Sequence, residues 1–106
     1  MDNIIPPEIQ IDLIKIDVEG GELDVLRGAT RILSDSQPIV IFEHGKGAAD
    51  VYNCSPDQLY SFFDRFKMGV FNLGAFLKAQ SPLSKAAFKT QYDKGLNYYF
   101  VASKVA

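Results

Sequence analysis

The run Ile11-Asp12-Leu13-Ile14-Lys15-Ile16-Asp17-Val18-Glu19-Gly20-Gly21-Glu22 constrains this chain more than any other stretch. Its front half is apolar in both β registers: Ile9, Ile11 and Leu13 in one, Ile14, Ile16 and Val18 in the other. A strand of that kind belongs inside a layered sheet with helices over each face. Two glycines then break the strand, and a helical period begins at once. Strand, terminal carboxylates, Gly-Gly turn and helix together make the opening of a βαβ unit. Ligands of open α/β sheets bind at the carboxyl ends of such strands. Asp17 and Glu19 are therefore the first candidates for chemistry.

The remaining elements follow from local signals. Residues 1–8 read as a lead-in, because Pro6-Pro7 blocks regular structure ahead of a strand over residues 11–18. Leu23, Val25, Leu26, Ala29, Ile32 and Leu33 trace one helical face through about residue 34. Glu22 and Asp24 precede Arg27 and Arg31, the order that complements a helix dipole. Pro38 ends that helix, and Ile39-Val40-Ile41-Phe42 is a second buried parallel strand, closed by Glu43-His44-Gly45. Ser55-Pro56-Asp57-Gln58 is a helix start of capping-box form, with Leu59, Phe62, Phe63 and Phe66 as the buried face. Val70-Phe71-Asn72-Leu73 reads as a third strand punctuated by Gly69 and Gly74. Between residues 75 and 95, Ser81-Pro82 suits a helix running to Phe88 or Tyr92, whereas Lys85, Lys89 and Lys94 suit a solvated surface segment. Asn97-Tyr98-Tyr99-Phe100-Val101-Ala102 is the last strand.

Composition narrows the function classes. A chain of 106 residues makes one domain, and 47% hydrophobic with 23% charged residues is ordinary for a globular fold. A net charge of -2 leaves no electrostatic footprint for nucleic acid or an anionic membrane. Cys54 stands alone, so an intrachain disulfide and a cysteine metal cluster are excluded, and its default role is a small loop or core residue. No apolar run approaches the roughly 20 residues of a membrane span. The N-terminal residues carry no secretory pattern, and a reducing cytoplasm is the expected compartment.

Asp12-Leu13-Ile14-Lys15-Ile16-Asp17-Val18-Glu19-Gly20-Gly21-Glu22-Leu23, continued by Val25-Leu26-Arg27-Gly28-Ala29, closely resembles the FkbM-type methyltransferases. Pro38-Ile39-Val40-Ile41-Phe42-Glu43 resembles the next strand of that family, and Asn97-Tyr98-Tyr99-Phe100-Val101 is similar to its final one. The resemblance implies a Rossmann-like methyltransferase sheet and S-adenosylmethionine as cofactor. It maps residues 1–106 onto the C-terminal half only, a single partial domain of about four strands, the last antiparallel, flanked by helices. In that family a Gly-rich βα turn and an acidic residue ending the second strand grip the cofactor. Both precede the matching stretch, and no complete Gly-x-Gly-x-x-Gly turn follows a strand in this sequence. The chain is therefore expected to be inactive alone, and its first strand to present a bare edge that promotes homo-oligomerisation.

On the same mapping, Asp17 and Glu43 end neighbouring parallel strands, with backbones about 5 Å apart. Carboxylates that close repel, which raises one pKa or recruits a cation. The catalytic candidates are Asp17, Glu19, Glu43 and His44, serving as general base for a hydroxyl of a sugar or natural product; Asp17 also faces the cofactor. Mg²⁺ held at the strand ends is a competing role, though not the favoured one. Blander roles stand beside these. Glu19 or Glu22 caps the following helix, Asp17 forms a turn, and His44 is a polar loop residue. Lys15 is odd for a buried strand, and an edge position or a partner carboxylate explains it better than catalysis. Asp17-Val18-Glu19-Gly20 and His44-Gly45-Lys46-Gly47 mimic nucleotide-binding motifs without the required Gly-rich loop. A non-catalytic assembly module derived from a methyltransferase is the alternative to an enzyme fragment.

Overall fold

Short apolar runs joined by amphipathic helices assemble into one four-stranded sheet. The structure, a computed structural model, describes residues 2–16, 22–44, 55–96 and 99–105. The elements in chain order are β1 (Leu13–Ile16), α1 (Glu22–Arg27), α2 (Thr30–Asp35), β2 (Ile39–Glu43), α3 (Pro56–Asp64), β3 (Met68–Asn72), α4 (Leu73–Leu77), α5 (Lys85–Asp93) and β4 (Tyr99–Lys104). Strand order is β1-β2-β4-β3. Strands β1 and β2 run parallel, and β4 lies antiparallel to β2 on one side and β3 on the other. The last strand is thus the antiparallel one, as the sequence resemblance implies.

Register sorts the side chains onto two faces. Ile14 pairs with Val40, Val40 with Ala102, and Ala102 with Val70; the next row is Ile16, Phe42, Phe100 and Asn72. That face carries the main core, where Leu23 and Leu26 of α1, Ile32 and Leu33 of α2, Leu59, Phe62 and Phe63 of α3, and Phe88 and Tyr92 of α5 pack together. Phe42 is its centre, with ring centroids 5.1 Å from Phe63, 5.8 Å from Phe100 and 6.4 Å from Phe88. On the opposite face Val101 and Phe71 are register partners and both buried. There the Phe76 ring of α4 packs on Phe71 at 5.4 Å.

Several sequence expectations shift. β1 lies at the sheet edge, as the resemblance implies, but only one of its two apolar registers is covered: Ile14 and Ile16 are buried, while Leu13 is 58% exposed and Lys15 points to solvent. An apolar residue in the outward register does not by itself place a strand in the interior. The exposed edge position removes the puzzle of Lys15, since a lysine there keeps its ammonium hydrated. β3 begins two residues early, at Met68, and takes Gly69 inside the strand; Leu73 and Gly74 belong to α4. A Cβ on Gly69 would lie 2.8 Å from Val105 Cγ1 and 2.9 Å from Pro82 Cβ, so close approach explains this glycine. Residues 85–93 are helical, capped by Ser84, whose side chain accepts from the Ala87 N–H at 3.1 Å. The capping box at Ser55 and Gln58 is formed as expected.

The helix expected over residues 22–34 is two helices, parted at Gly28-Ala29. Gly28 weakens the helix locally, and the Ala29 N–H bonds back to Leu26 C=O in a tighter turn, at 3.0 Å. Ala29 occupies the cap of α2 and has no side-chain acceptor to offer. Asp2 supplies one from the lead-in: its Oδ2 accepts from the Arg31 N–H at 2.8 Å and its Oδ1 from the Ile32 N–H at 3.2 Å. Its own N–H donates to Gly28 C=O at 2.9 Å. The Arg31 guanidinium in turn donates to Ile5 C=O. A distant carboxylate thus takes the place of the missing local cap.

Burial would raise the Asp2 carboxyl, but the Arg31 and Ile32 N–H groups, the Arg31 charge and the Thr30 hydroxyl outweigh it and hold the group below its ordinary 3.8. A depressed carboxyl stabilises the fold at pH above the ordinary value, and the contribution disappears as pH falls through the folded-state value. Asp2→Ala is expected to cost about 1 kcal/mol at pH 7, in urea titrations. The gap to the parent protein should narrow steadily in titrations run below the ordinary carboxyl pKa. Gly69→Ala should cost about 1–3 kcal/mol through overpacking. Gly74→Ala, with nothing within 4 Å of its new Cβ, should stabilise by about 0.5–1 kcal/mol; equal effects from the two would contradict the packing described.

Candidate active site

Parallel pairing of β1 with β2 brings their carboxyl ends to one edge of the sheet, and the last register pair described is Ile16 with Phe42. Strand β3, antiparallel to β4 as β2 is, ends at the same edge with Asn72. The candidates Asp17 and Glu19 lie outside the described residues, as does Cys54. Glu43 and His44 are described, and they do not share a face. Glu43 is half-buried and pairs in register with Tyr99, which is 55% exposed. His44 follows on the core side and is 1% exposed.

The reason is the two-residue period of a strand. Phe42 points into the core, Glu43 away from it, and His44 back again. There the imidazole stacks on Tyr92 at 4.9 Å and on Phe88 at 5.5 Å, with interplanar angles of 23° and 22°. Helix α5 thus roofs His44 with two aromatic rings. Such a group is held rigidly under the edge, while Glu43 sits where a bound molecule can reach it.

Asn72 was missed by sequence reasoning. Its Oδ1 is buried and has no hydrogen-bond partner among the described residues. Two strand spacings separate it from the β2 end, about 10 Å. An unsatisfied acceptor is costly and points to a function or a further partner. Its signal in sequence was weak: an asparagine closing an apolar strand just before a helix. Among the described residues no three His, Cys, Asp or Glu side chains lie close enough to hold a metal ion. Glu43 is a carboxylate that the described residues place at this edge.

A mixed sheet with a parallel β1–β2 pair, an antiparallel last strand and acidic residues after its first two strands is a fragment of a Rossmann-like methyltransferase fold. The family model described as Methyltransferase FkbM domain matches residues 1–72 of the 106-residue chain, and the chain belongs to that family. The match ends at the last residue of β3, so α4, α5 and β4 lie beyond it. No curated protein matches the chain, and no solved structure does. No described helix is long and apolar enough to cross a membrane.

Truncating the two described candidates should separate their roles. His44→Ala is expected to destabilise by about 2–4 kcal/mol, as removal of a stacked, buried ring does. Glu43→Ala should stay within about 1 kcal/mol of the parent. Denaturant titration of both variants checks this, and a stability-neutral His44→Ala would contradict the stacking.

Proposed function

We propose that this chain is the substrate-side portion of an S-adenosylmethionine-dependent O-methyltransferase acting on a hydroxyl of a sugar or natural product. The observation that carries the reading is the parallel β1–β2 pair, which directs two acid-bearing strand ends of an FkbM-family chain to a common edge. Asp17, Glu19 and Glu43 line the acceptor side of the cleft in this proposal, with Asp17 also toward the cofactor. One of these carboxylates takes the proton from the attacking hydroxyl. His44, roofed by Phe88 and Tyr92, acts as a positioning residue that fixes the β2 terminus. S-adenosylmethionine supplies an electrophilic methyl group when bound by a complete domain. What the protein must add is alignment and acceptance of a proton, so no metal is assigned. A reducing cytoplasm is the compartment consistent with a single cysteine.

Two observations support the expectation that this chain alone does not transfer methyl groups. The sequence holds no complete Gly-x-Gly-x-x-Gly turn after a strand, since Gly45-Lys46-Gly47 is followed by Asp50 in place of the third glycine, and the outer edge of β1 has no strand partner among the described residues. Calorimetric titration of the purified chain with S-adenosylmethionine should show no saturable heat. Stoichiometric micromolar binding would overturn this part of the proposal.

The open edge of β1 and the exposure of Leu13 also favour a second reading, a non-catalytic module that assembles through this edge into a homo-oligomer. Light scattering on the parent and on an Asp17→Ala, Glu43→Ala double variant distinguishes the two. Assembly indifferent to both substitutions, with no activity when a complementary N-terminal half is added, would favour the module. Activity restored by that half and lost in the double variant would favour the enzyme.

A further inference from the structure

A groove of about 340 Å³ runs between α1 and α3, lined by Leu23, Arg27, Gln58, Ser61, Phe62 and Arg65. Its volume lies within the roughly 300–1,000 Å³ of small-ligand clefts. The polar lining consists of two guanidiniums, an amide and a hydroxyl, and no carboxylate lines it among the described residues. A third cation reaches it from α5, where Lys85 Nζ donates to Ser61 Oγ at 3.0 Å. The chain as a whole carries a net charge of -2, so this convergence is not a consequence of a generally basic surface.

The two arginines are arranged differently. The Arg65 guanidinium lies 5.2 Å from the centroid of the Phe62 ring. Stacking on an aromatic face restricts the guanidinium plane and leaves its N–H edge for an acceptor. No carboxylate within ion-pair distance of Arg65 occurs among the described residues. Arg27 has one neighbour, Asp24, at 3.8 Å, and both side chains are mostly exposed. A contact that long and that solvated holds the guanidinium only weakly. A second groove of about 240 Å³, lined in part by Arg65 and Lys67, continues past the end of α3. Arg65 therefore borders both.

We propose that the α1–α3 groove binds a soluble ligand carrying a phosphate or diphosphate group. Arg27 and Arg65 donate paired N–H bonds to the phosphoryl oxygens, as planar guanidiniums do to tetrahedral anions. Lys85 adds charge from the rim, and Leu23 with Phe62 forms an apolar floor for the remainder of the ligand. None of these residues is among Asp17, Glu19, Glu43 and His44, so the proposal does not rest on the methyl-transfer reading.

Inorganic pyrophosphate is the probe, titrated into the full chain and followed by calorimetry and by the arginine side-chain N–H resonances. Saturable binding is expected, with the shifts centred on Arg27 and Arg65. Arg65→Gln and Arg27→Gln should each weaken it about tenfold, the loss of one charge-assisted hydrogen-bonded contact. Glu43→Ala should leave it unchanged. Both arginines are exposed enough that the variants retain the fold, which circular dichroism checks. Absence of saturable binding would overturn the proposal, as would binding indifferent to both arginine substitutions.

Discussion

The insertion of β4 between β2 and β3 is the constraint on which the rest of the structure depends. β4 arrives last in the chain, yet it supplies the central pairing on both sides. Without it, β1–β2 and β3 would be separate ribbons with nothing to hold them coplanar. Phe100, fully buried, links the two halves by packing on Phe42 and, edge-on at 4.9 Å, on Phe88. Long-range pairing of this kind costs loop-closure entropy, which the burial of Phe100, Val101 and Ala102 offsets. The stretch matched by the family model ends before this strand. The part of the chain bearing the recognisable motif is thus held in register by a part that lies outside it.

The two edges of the sheet are treated differently. Beyond β3 the chain folds back, and the Leu83 N–H donates to Val70 C=O at 2.7 Å, closing that side with an isolated bridge. Tyr60 of α3 fastens the same segment through its hydroxyl, which donates to Leu83 C=O at 3.0 Å. On the other side β1 shows no such cover among the described residues, and its Leu13 is exposed beside Lys15. Helices α1, α2, α3 and α5 all contribute to the core on one face, while α4 packs on the opposite face near β3 and β4. On β1 itself Leu13 and Lys15 are the exposed register.

Much of this was legible from residues. The apolar run at 39–42, the capping box at Ser55 and Gln58, and the helical face of Leu59, Phe62 and Phe63 all report local physics, and all appear where the sequence puts them. Three features were not legible, each for a non-local reason. A continuous apolar period across Gly28-Ala29 hides the break between α1 and α2, because the carboxylate that caps the second helix is Asp2, far back in the chain. The resemblance implied an open edge at the first strand, but its apolar run does not say which register stays uncovered, so Leu13 gave no sign of its exposure. The place of β4 in the sheet is decided by packing, which no local window contains. Of the candidate site, the parallel pairing of the first two strands was legible in the sequence and is observed, while Asp17 and Glu19 lie outside the described residues. That Glu43 and His44 diverge was also available, since Phe42, Glu43 and His44 simply continue the alternation of the strand. Treating adjacent polar residues as one cluster obscured it.

Amide hydrogen exchange across the sheet tests the central role of β4 most directly. If the last strand holds the sheet together, the Phe100, Val101 and Ala102 amides should be the slowest in the chain. They should exchange only through global unfolding, with the free energy that denaturant titration gives. Faster exchange at these three positions than in β1 or α2 would mean that the sheet survives the loss of its central strand, and the architecture described here would not stand.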